Sequence, residues 1–131
     1  MITSYEYLRS DIEIFQRRDK GGWFYVILDE AQKIKNTESQ INKAIMTISS
    51  QNRLILSGTP MQNNLQELWS LFHFVQPGLL GELDYFENMF CKTIIKGGYT
   101  NATDVEKETS RQCLNELRDL IQGHILRRTK K

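Results

Sequence analysis

The first third of the chain combines helical and extended hydrophobic patterns. Residues 2–5 are typical of the end of a β-strand, and Leu8, Ile12 and Phe15 then lie on one face of a predicted helix. A Gly-Gly turn signal follows. The next run, residues 23–28, is apolar without alternation. This run predicts a strand that is covered on both faces, as in a parallel sheet.

A second strand follows after one amphipathic helix. The helix is predicted from four apolar residues at positions i, i+3, i+4 and i+7, namely Ile41, Ala44, Ile45 and Ile48, with Asn36 or Thr37 as its N-cap. Residues 53–56 are the predicted second strand. Because short crossovers of this kind place their strands parallel, the polar residues after both strands are expected at one carboxyl edge. That edge binds ligands in open α/β sheets.

The second half of the chain is predicted to be mainly helical. Asn64 with Glu67, and Thr103 with Glu106, have the spacing of a capping box at a helix N-terminus. The two helices carry apolar stripes, which are Leu65, Leu68, Trp69, Phe72 and Val75 in the first and Val105, Leu114, Leu117 and Ile121 in the second. The sequence then ends in a basic run, residues 127–131.

Composition and charge narrow the function classes. The 131 residues are 40% hydrophobic and 25% charged, as expected for about one globular domain. The net charge of +1 gives no bulk indication of a nucleic-acid or membrane partner. The sequence has no apolar stretch of membrane-spanning length and no basic, apolar N-terminal leader. Cys91 and Cys113 form neither a disulfide framework nor a zinc set, and we expect reduced, buried thiols.

An acidic pair follows the first predicted strand. Asp29 and Glu30 come directly after the apolar run, which is the layout of a Walker B element. An aspartate in that place can hold a nucleotide-bound Mg²⁺ through water, and the adjacent glutamate can orient and deprotonate the attacking water. Taken alone, such a pair more often marks the start of a solvated loop.

A hydroxyl-rich segment follows the second predicted strand. In Ser57, Gly58, Thr59 and Pro60, the glycine allows a tight turn and a close approach to a ligand. The two hydroxyls can bond to a carboxylate or to neighbours on the next strand. By itself the segment also suits an ordinary turn. Two hydrophobic strands that each end in such a motif, joined by one amphipathic helix, together favour a nucleotide site.

Longer stretches around these motifs resemble a known family. Residues 28–36, LDEAQKIKN, and 56–71, LSGTPMQNNLQELWSL, look like motifs II and III of the Swi/Snf-type DNA-dependent ATPases of helicase superfamily two. Residues 3–6, TSYE, resemble the motif that precedes them, and residues 126–131, LRRTKK, are similar to a signature near the end of the first ATPase lobe. Residues 97–102, GGYTNA, look most like the Cockayne syndrome group B branch, which acts in transcription-coupled DNA repair.

The resemblance implies an α/β fold and roles for the motif residues. Residues 1–76 would be the C-terminal part of a RecA-like ATP-binding lobe one, a partial parallel sheet, and residues 77–131 a helical extension that ends in the Leu-Arg-Arg segment. Glu30 would be the catalytic base and Asp29 would help to hold Mg²⁺. The implied nucleotide-binding set is Asp29, Gln32, Ser57, Gly58 and Thr59.

Three of these positions carry further implications. By the resemblance, Ser57 and Thr59 couple the nucleotide state to DNA engagement. Many family members have histidine where Gln32 stands. Since glutamine donates and accepts a hydrogen bond without titrating, a contact from Gln32 to motif III is expected to survive the change.

One expected element of an ATPase is absent from the sequence. The chain contains no Gly-Lys pair and therefore no phosphate-cradling loop. By the resemblance, it begins after the nucleotide loop of lobe one and lacks lobe two. We therefore expect that the chain does not hydrolyse ATP alone. Because removal of the neighbouring strands exposes a sheet edge, we also expect poor solubility.

Two functions from different classes remain open. The first is a part of the ATP-hydrolysing motor of a DNA-translocating ATPase in chromatin remodelling or transcription-coupled repair. Its implied cofactors are ATP and Mg²⁺. Its implied partners are double-stranded DNA, ATPase lobe two, and either chromatin or the transcription machinery. The implied location is the nucleus, and no membrane is involved. The second is a non-catalytic interaction module derived from that lobe. Another Walker-type NTPase is less compatible with residues 57–71.

Overall fold

The structure, a computed structural model, describes residues 1–16, 21–58 and 64–130. The chain divides into two compact units, Met1–Gly78 and Leu79–Lys131. The first unit contains, in order, α1 Tyr5–Ser10, α2 Ile12–Phe15, β1 Trp23–Leu28, a 3₁₀ helix Ala31–Ile34, α3 Gln40–Met46, β2 Ser50–Ile55 and α4 Leu65–Val75. The second contains α5 Leu83–Phe86, a π-helical turn Glu87–Cys91, α6 Lys92–Gly97 and α7 Asp104–Gln122.

The two strands pair in parallel, as the short crossover through α3 predicts. Trp23 lies opposite Ser50, and Leu28 lies opposite Ile55. The strands approach closely at their start, where Gly22 has φ +84° and a Cβ atom would lie 2.4 Å from the Ser49 carbonyl oxygen. Only glycine fits this position without strain, because the left-handed backbone and the close contact both exclude a side chain.

One face of the sheet is covered by the helices of the first unit. Leu28 is buried, and Val26 and Ile55 pack against the same core. The cluster of buried residues also draws on α1, α2, the 3₁₀ helix, α3 and α4, and it consists of Leu8, Phe15, Leu28, Ala31, Ile34, Ile45, Ile48, Leu71 and Phe74. The predicted hydrophobic faces of these elements therefore meet on one side of β1 and β2.

The expectation that β1 is covered on both faces is wrong for the described residues. Tyr25, Ile27 and Leu54 are exposed, with Ile27 55% accessible, and Ile27 lies directly opposite Leu54 in the register. Leu56, just past β2, is also exposed. The apolar run was read correctly as a strand, but a run of this kind does not show which layer covers its second face. We call Tyr25, Ile27, Leu54 and Leu56 the open face.

The open face leads to a prediction about association. An Ile27→Lys substitution should reduce the self-association of the isolated chain, because contiguous exposed apolar area on an unprotected sheet favours chain–chain contact and a lysine opposes it. Sedimentation velocity over a concentration series would measure the change. Ile14→Lys is the matched control, since Ile14 is similarly exposed but lies on α2. A wild-type chain that stays monomeric over the series would contradict the prediction.

The N-terminal residues form a helix start rather than the predicted strand end. Residues 1–4 have no regular structure, and Ser4 is the N-cap of α1, with its hydroxyl accepting from the Tyr7 amide at 3.1 Å. Residues 2–5 have the composition of a strand, but no strand pairs with them within the described residues. The serine cap therefore determines the local structure.

Helix boundaries also differ in detail from the patterns. The helix predicted through Leu8, Ile12 and Phe15 is broken at Asp11, which has φ −122° and ψ 44°, although Leu8 and Phe15 are buried as expected. The N-cap of α3 is Ser39 rather than Asn36 or Thr37, because Asn36 instead accepts from the Glu38 amide within a turn. The second difference reflects competition between short polar side chains for the cap position.

Asn42 and Ser70 form a buried polar cluster inside the first unit. The Asn42 amide nitrogen donates to the Ile34 carbonyl at 2.7 Å and to the Ser70 hydroxyl at 2.9 Å. The Ser70 hydroxyl in turn donates to the same carbonyl at 2.6 Å. The cluster joins α3 and α4 to the end of the 3₁₀ helix, and every buried polar atom in it has a partner.

Asn42→Ala should lower the free energy of unfolding by about 2–3 kcal/mol, because it removes two buried hydrogen bonds and leaves a small cavity. Urea unfolding of the chain at low concentration would measure the loss. Asn115→Ala serves as the control, since Asn115 is exposed on α7 and alanine suits a helix surface. Equal stability of the two variants would show that the cluster contributes nothing.

The second unit is built from helices, as the sequence predicts. Thr103 is the N-cap of α7, and its hydroxyl oxygen accepts from the Glu106 amide at 3.1 Å, as in the predicted capping box. Asn64 also caps α4, but it accepts from the Gln66 amide rather than that of Glu67. No helix among residues 1–16, 21–58 and 64–130 is long and apolar enough to cross a membrane.

Candidate functional site

The acidic pair lies at the carboxyl end of β1, and the backbone there is held by the neighbouring strand. The Leu56 amide donates to the Leu28 carbonyl at 2.8 Å, and the Ala31 amide donates to the Leu56 carbonyl at 3.0 Å. Asp29 and Glu30 therefore occupy a short exposed turn between two main-chain contacts to the end of β2. Ala31 is fully buried and anchors the far side of the turn.

Glu30 adopts an unusual backbone conformation within this turn. Its φ of 50° and ψ of 53° lie in the left-handed region, and it is the one non-glycine residue with positive φ among the described residues. A side chain in this region costs roughly 1–2 kcal/mol, and such residues cluster at functional sites. The Glu30 amide donates to an Asp29 carboxylate oxygen at 2.9 Å, which ties the two acids together.

Gln32 connects the acidic pair to the end of the second strand. Its amide nitrogen donates to a carboxylate oxygen of Glu30, and its amide oxygen accepts from the Ser57 hydroxyl at 3.2 Å. This is the contact expected from Gln32 to motif III. Glutamine can make both bonds at once because its side chain carries a donor and an acceptor.

The hydroxyl-rich segment is described only in part. Ser57 and Gly58 are exposed and follow β2, whereas Thr59 and Pro60 lie outside the described residues. Gly58 does not have positive φ, and within the described part of the chain a Cβ atom there would meet nothing within 4 Å. The structure thus gives no steric reason for glycine at this position.

The carboxylate oxygens of the acidic pair suit a hard cation such as Mg²⁺, provided that most of its ligands come from a nucleotide and from water. No group of three or more His, Cys, Asp or Glu side chains that could hold a metal is found in the part of the chain that the structure describes. Mg²⁺ bound to a nucleotide needs only one or two carboxylates, because phosphate oxygens and water complete its shell. The exposed carboxylate of Asp29 at the sheet edge fits that requirement.

Two lysines beside the acidic pair are paired with carboxylates. Lys33 lies 3.6 Å from Glu6 on α1, and Lys35 lies 3.4 Å from Glu67 on α4. All four side chains are substantially exposed or half-buried, so each pair contributes little to stability. The pairs connect the 3₁₀ helix to α1 on one side and, through the residue that follows it, to α4 on the other.

Tyr5 is a contact of the acidic pair that the sequence analysis missed. Its hydroxyl donates to the Asp29 backbone carbonyl. Burial, followed by the negative charges of Asp29 and Glu30, raises the pKa of Tyr5 to about 12. The TSYE motif contains Tyr5, but the motif alone does not indicate that its hydroxyl contacts Asp29.

A cleft lies beside β1 in the first unit. Its volume is about 420 Å³, and its mainly apolar walls include residues 1–5, Val26, Leu28 and Ile48. Apolar walls do not provide the positive charge or amide donors that phosphate groups need. Asp29 also lines the cleft, but the mainly apolar walls around it would not hold phosphate groups.

Comparisons with known proteins agree with the motif assignments. The SNF2-related domain family matches residues 1–131. DNA excision repair protein ERCC-6 of Mus musculus is 47% identical over 130 residues, which are 99% of this chain and 9% of that protein. The chromatin-remodeling ATPase INO80 of Lodderomyces elongisporus is 41% identical over 131 residues, which are 100% of this chain and 8% of that protein.

A solved structure has the same fold. The SWI2/SNF2 ATPase core of Sulfolobus solfataricus in complex with dsDNA is similar with a TM-score of 0.74 and 36% sequence identity, over 96% of this chain and 24% of that chain. The α/β, RecA-like fold expected from the sequence is thereby confirmed, as is the resemblance to Swi/Snf-type ATPases and their Cockayne syndrome group B branch. The chain spans less than a quarter of each of these three proteins.

Proposed function

The chain belongs to the SNF2-related domain family, and from this membership we propose that it is part of the ATP-hydrolysing motor of a DNA-dependent, DNA-translocating ATPase. The observation that supports the proposal most directly is the hydrogen-bonded connection from Glu30 through Gln32 to Ser57. This connection links the ends of two parallel strands at the edge where α/β proteins bind ligands.

We assign the following roles to the described side chains. Glu30 is the base that orients and deprotonates the attacking water, and the exposed carboxylate of Asp29 helps to hold Mg²⁺ through a water molecule. When bound, Mg²⁺ neutralises charge on the phosphate oxygens of ATP. Ser57, whose hydroxyl donates to the Gln32 amide oxygen, and Thr59 couple the nucleotide state to DNA engagement. Gly58 and Thr59 complete the nucleotide-binding set.

The motor is proposed to require more chain than these residues supply. The sequence has no Gly-Lys pair, so the backbone amides and lysine that surround the β- and γ-phosphates must come from elsewhere. In this proposal residues 1–76 are the C-terminal part of lobe one, residues 77–131 are its helical extension, and ATPase lobe two closes the site. The 131-residue chain alone is expected to be inactive.

The proposed partners follow from the relatives. The similar Sulfolobus solfataricus core was solved with dsDNA, which supports double-stranded DNA as the polymer along which the motor translocates. The names of ERCC-6 and INO80 refer to DNA excision repair and chromatin remodelling, which supports a nuclear role on chromatin or with the transcription machinery. The alternative, a non-catalytic interaction module, is favoured by the missing Gly-Lys loop alone.

A hybrid ATPase tests the proposal. We define it as the Sulfolobus solfataricus ATPase core in which the matching quarter is replaced by residues 1–131 of this chain. The hybrid is expected to hydrolyse ATP and to do so faster with double-stranded DNA, whereas the isolated chain is expected to show no turnover. A correctly folded hybrid without DNA-stimulated hydrolysis would instead favour the interaction module.

A further inference from the structure

The start of α1 contacts the turn that carries the acidic pair, and none of the proposed roles uses this contact. The Tyr5 hydroxyl donates to the backbone carbonyl of Asp29, 24 positions away in sequence. That carbonyl belongs to the peptide unit that leads directly into Glu30, the residue with left-handed backbone. A bond to it therefore restrains the rotation that sets the direction of the Glu30 side chain.

Two further contacts hold the Tyr5 ring in place. The Lys33 ammonium lies 5.7 Å from the centre of the ring, and the same ammonium pairs with Glu6 at 3.6 Å. Glu6 and Tyr5 are adjacent on α1, and Lys33 lies on the 3₁₀ helix just past the acidic pair. The ring is thus placed between the first turn of α1 and the residues that flank Glu30.

The hydroxyl is a donor throughout the physiological pH range. Burial and the carboxylates of Asp29 and Glu30 raise its pKa to about 12, so it stays protonated. Its acceptor is a main-chain oxygen and not a reacting group. Its effect is therefore on the geometry of the turn and not on proton transfer.

We propose that Tyr5 is a positioning residue for the acidic pair, because its hydroxyl holds the Asp29 carbonyl and keeps Glu30 in its left-handed conformation. The catalytic consequence rests on the proposed function, in which Glu30 is the base. The positioning itself does not, and it can be measured on the 131-residue chain.

Amide hydrogen exchange tests the positioning. Tyr5→Phe removes only the hydroxyl and is expected to accelerate exchange at residues 30–33 about five- to tenfold, the effect of one lost hydrogen bond, while β1 amides keep their rates. Tyr7→Phe is the matched control, because Tyr7 is exposed on the same helix and packs its ring edge-on against Phe15. The measurement is made on the full 131-residue chain at low concentration.

Steady-state kinetics of the hybrid ATPase test the consequence. Tyr5→Phe is expected to lower kcat about tenfold and to leave the KM for ATP within twofold, whereas Tyr7→Phe changes neither. Unchanged exchange at residues 30–33, equal acceleration throughout β1, or an unchanged kcat would each overturn the proposal. A correctly folded hybrid that is inactive before any substitution would refute the proposed function, and the exchange rates would then decide the positioning alone.

Discussion

Glu30→Gln is expected to reduce kcat of the hybrid ATPase by about 10²- to 10⁴-fold, the usual contribution of a general base. The substitution keeps the shape of the side chain and the acceptor oxygen that Gln32 contacts. It removes the negative charge and with it the ability to take a proton from water. The KM for ATP should therefore stay within about threefold, because binding and chemistry separate in this way when a group acts in the transition state.

A second glutamate provides the control for this experiment. Glu38→Gln changes the same functional group on the surface, where Glu38 pairs with Lys43 at 3.2 Å and both side chains are exposed. Its kcat should match that of the unsubstituted hybrid. Thermal unfolding of the variants verifies that each is folded. If Glu30→Gln retained more than about a tenth of the rate, Glu30 would not be the base, and the assignment of roles at the sheet edge would have to change.

Phe74→Ala is expected to lower the free energy of unfolding by about 3–5 kcal/mol, the range for removal of a buried aromatic side chain. Phe74 has no accessible surface and lies in the core of the first unit, on α4. The Arg53 guanidinium is 4.7 Å from its ring centre and also donates to its carbonyl at 3.0 Å. Truncation therefore removes hydrophobic burial and a cation–π contact together.

The chain offers a phenylalanine with opposite burial as the control. Phe24 on β1 is 67% accessible, so Phe24→Ala should cost less than about 1 kcal/mol. Urea unfolding of both variants at low concentration provides the comparison. Similar losses for the two variants would mean that the core of the first unit is not organised around α4 and the covered face of the sheet.

Local patterns were sufficient for the elements that carry the acidic pair. The apolar run before Asp29 predicted β1, and the amphipathic helix after it predicted a parallel partner. The cap at Thr103 was predicted because capping depends on residues three apart. Residues 2–5 were misread because a strand composition specifies a strand only when a neighbouring strand is available for pairing.

Long-range contacts around the site could not be predicted from these local sequence patterns. The Tyr5 bond to Asp29 joins residues 24 apart, and the Asn42 bond to Ser70 joins residues 28 apart. Neither periodicity nor composition indicates which two surfaces meet after the chain folds. The contact of Gln32 with Ser57 was expected because the family resemblance supplied it. The left-handed backbone of Glu30 could not be predicted from the sequence, since glutamate does not favour this conformation.

The left-handed conformation of Glu30 has a consequence for how this position can change. Glycine or asparagine would relieve the backbone at position 30, because both tolerate positive φ better than glutamate does. Glu30→Gly would therefore remove the strain of the left-handed backbone and stabilise the turn, but it would also remove the carboxylate that we propose as the base.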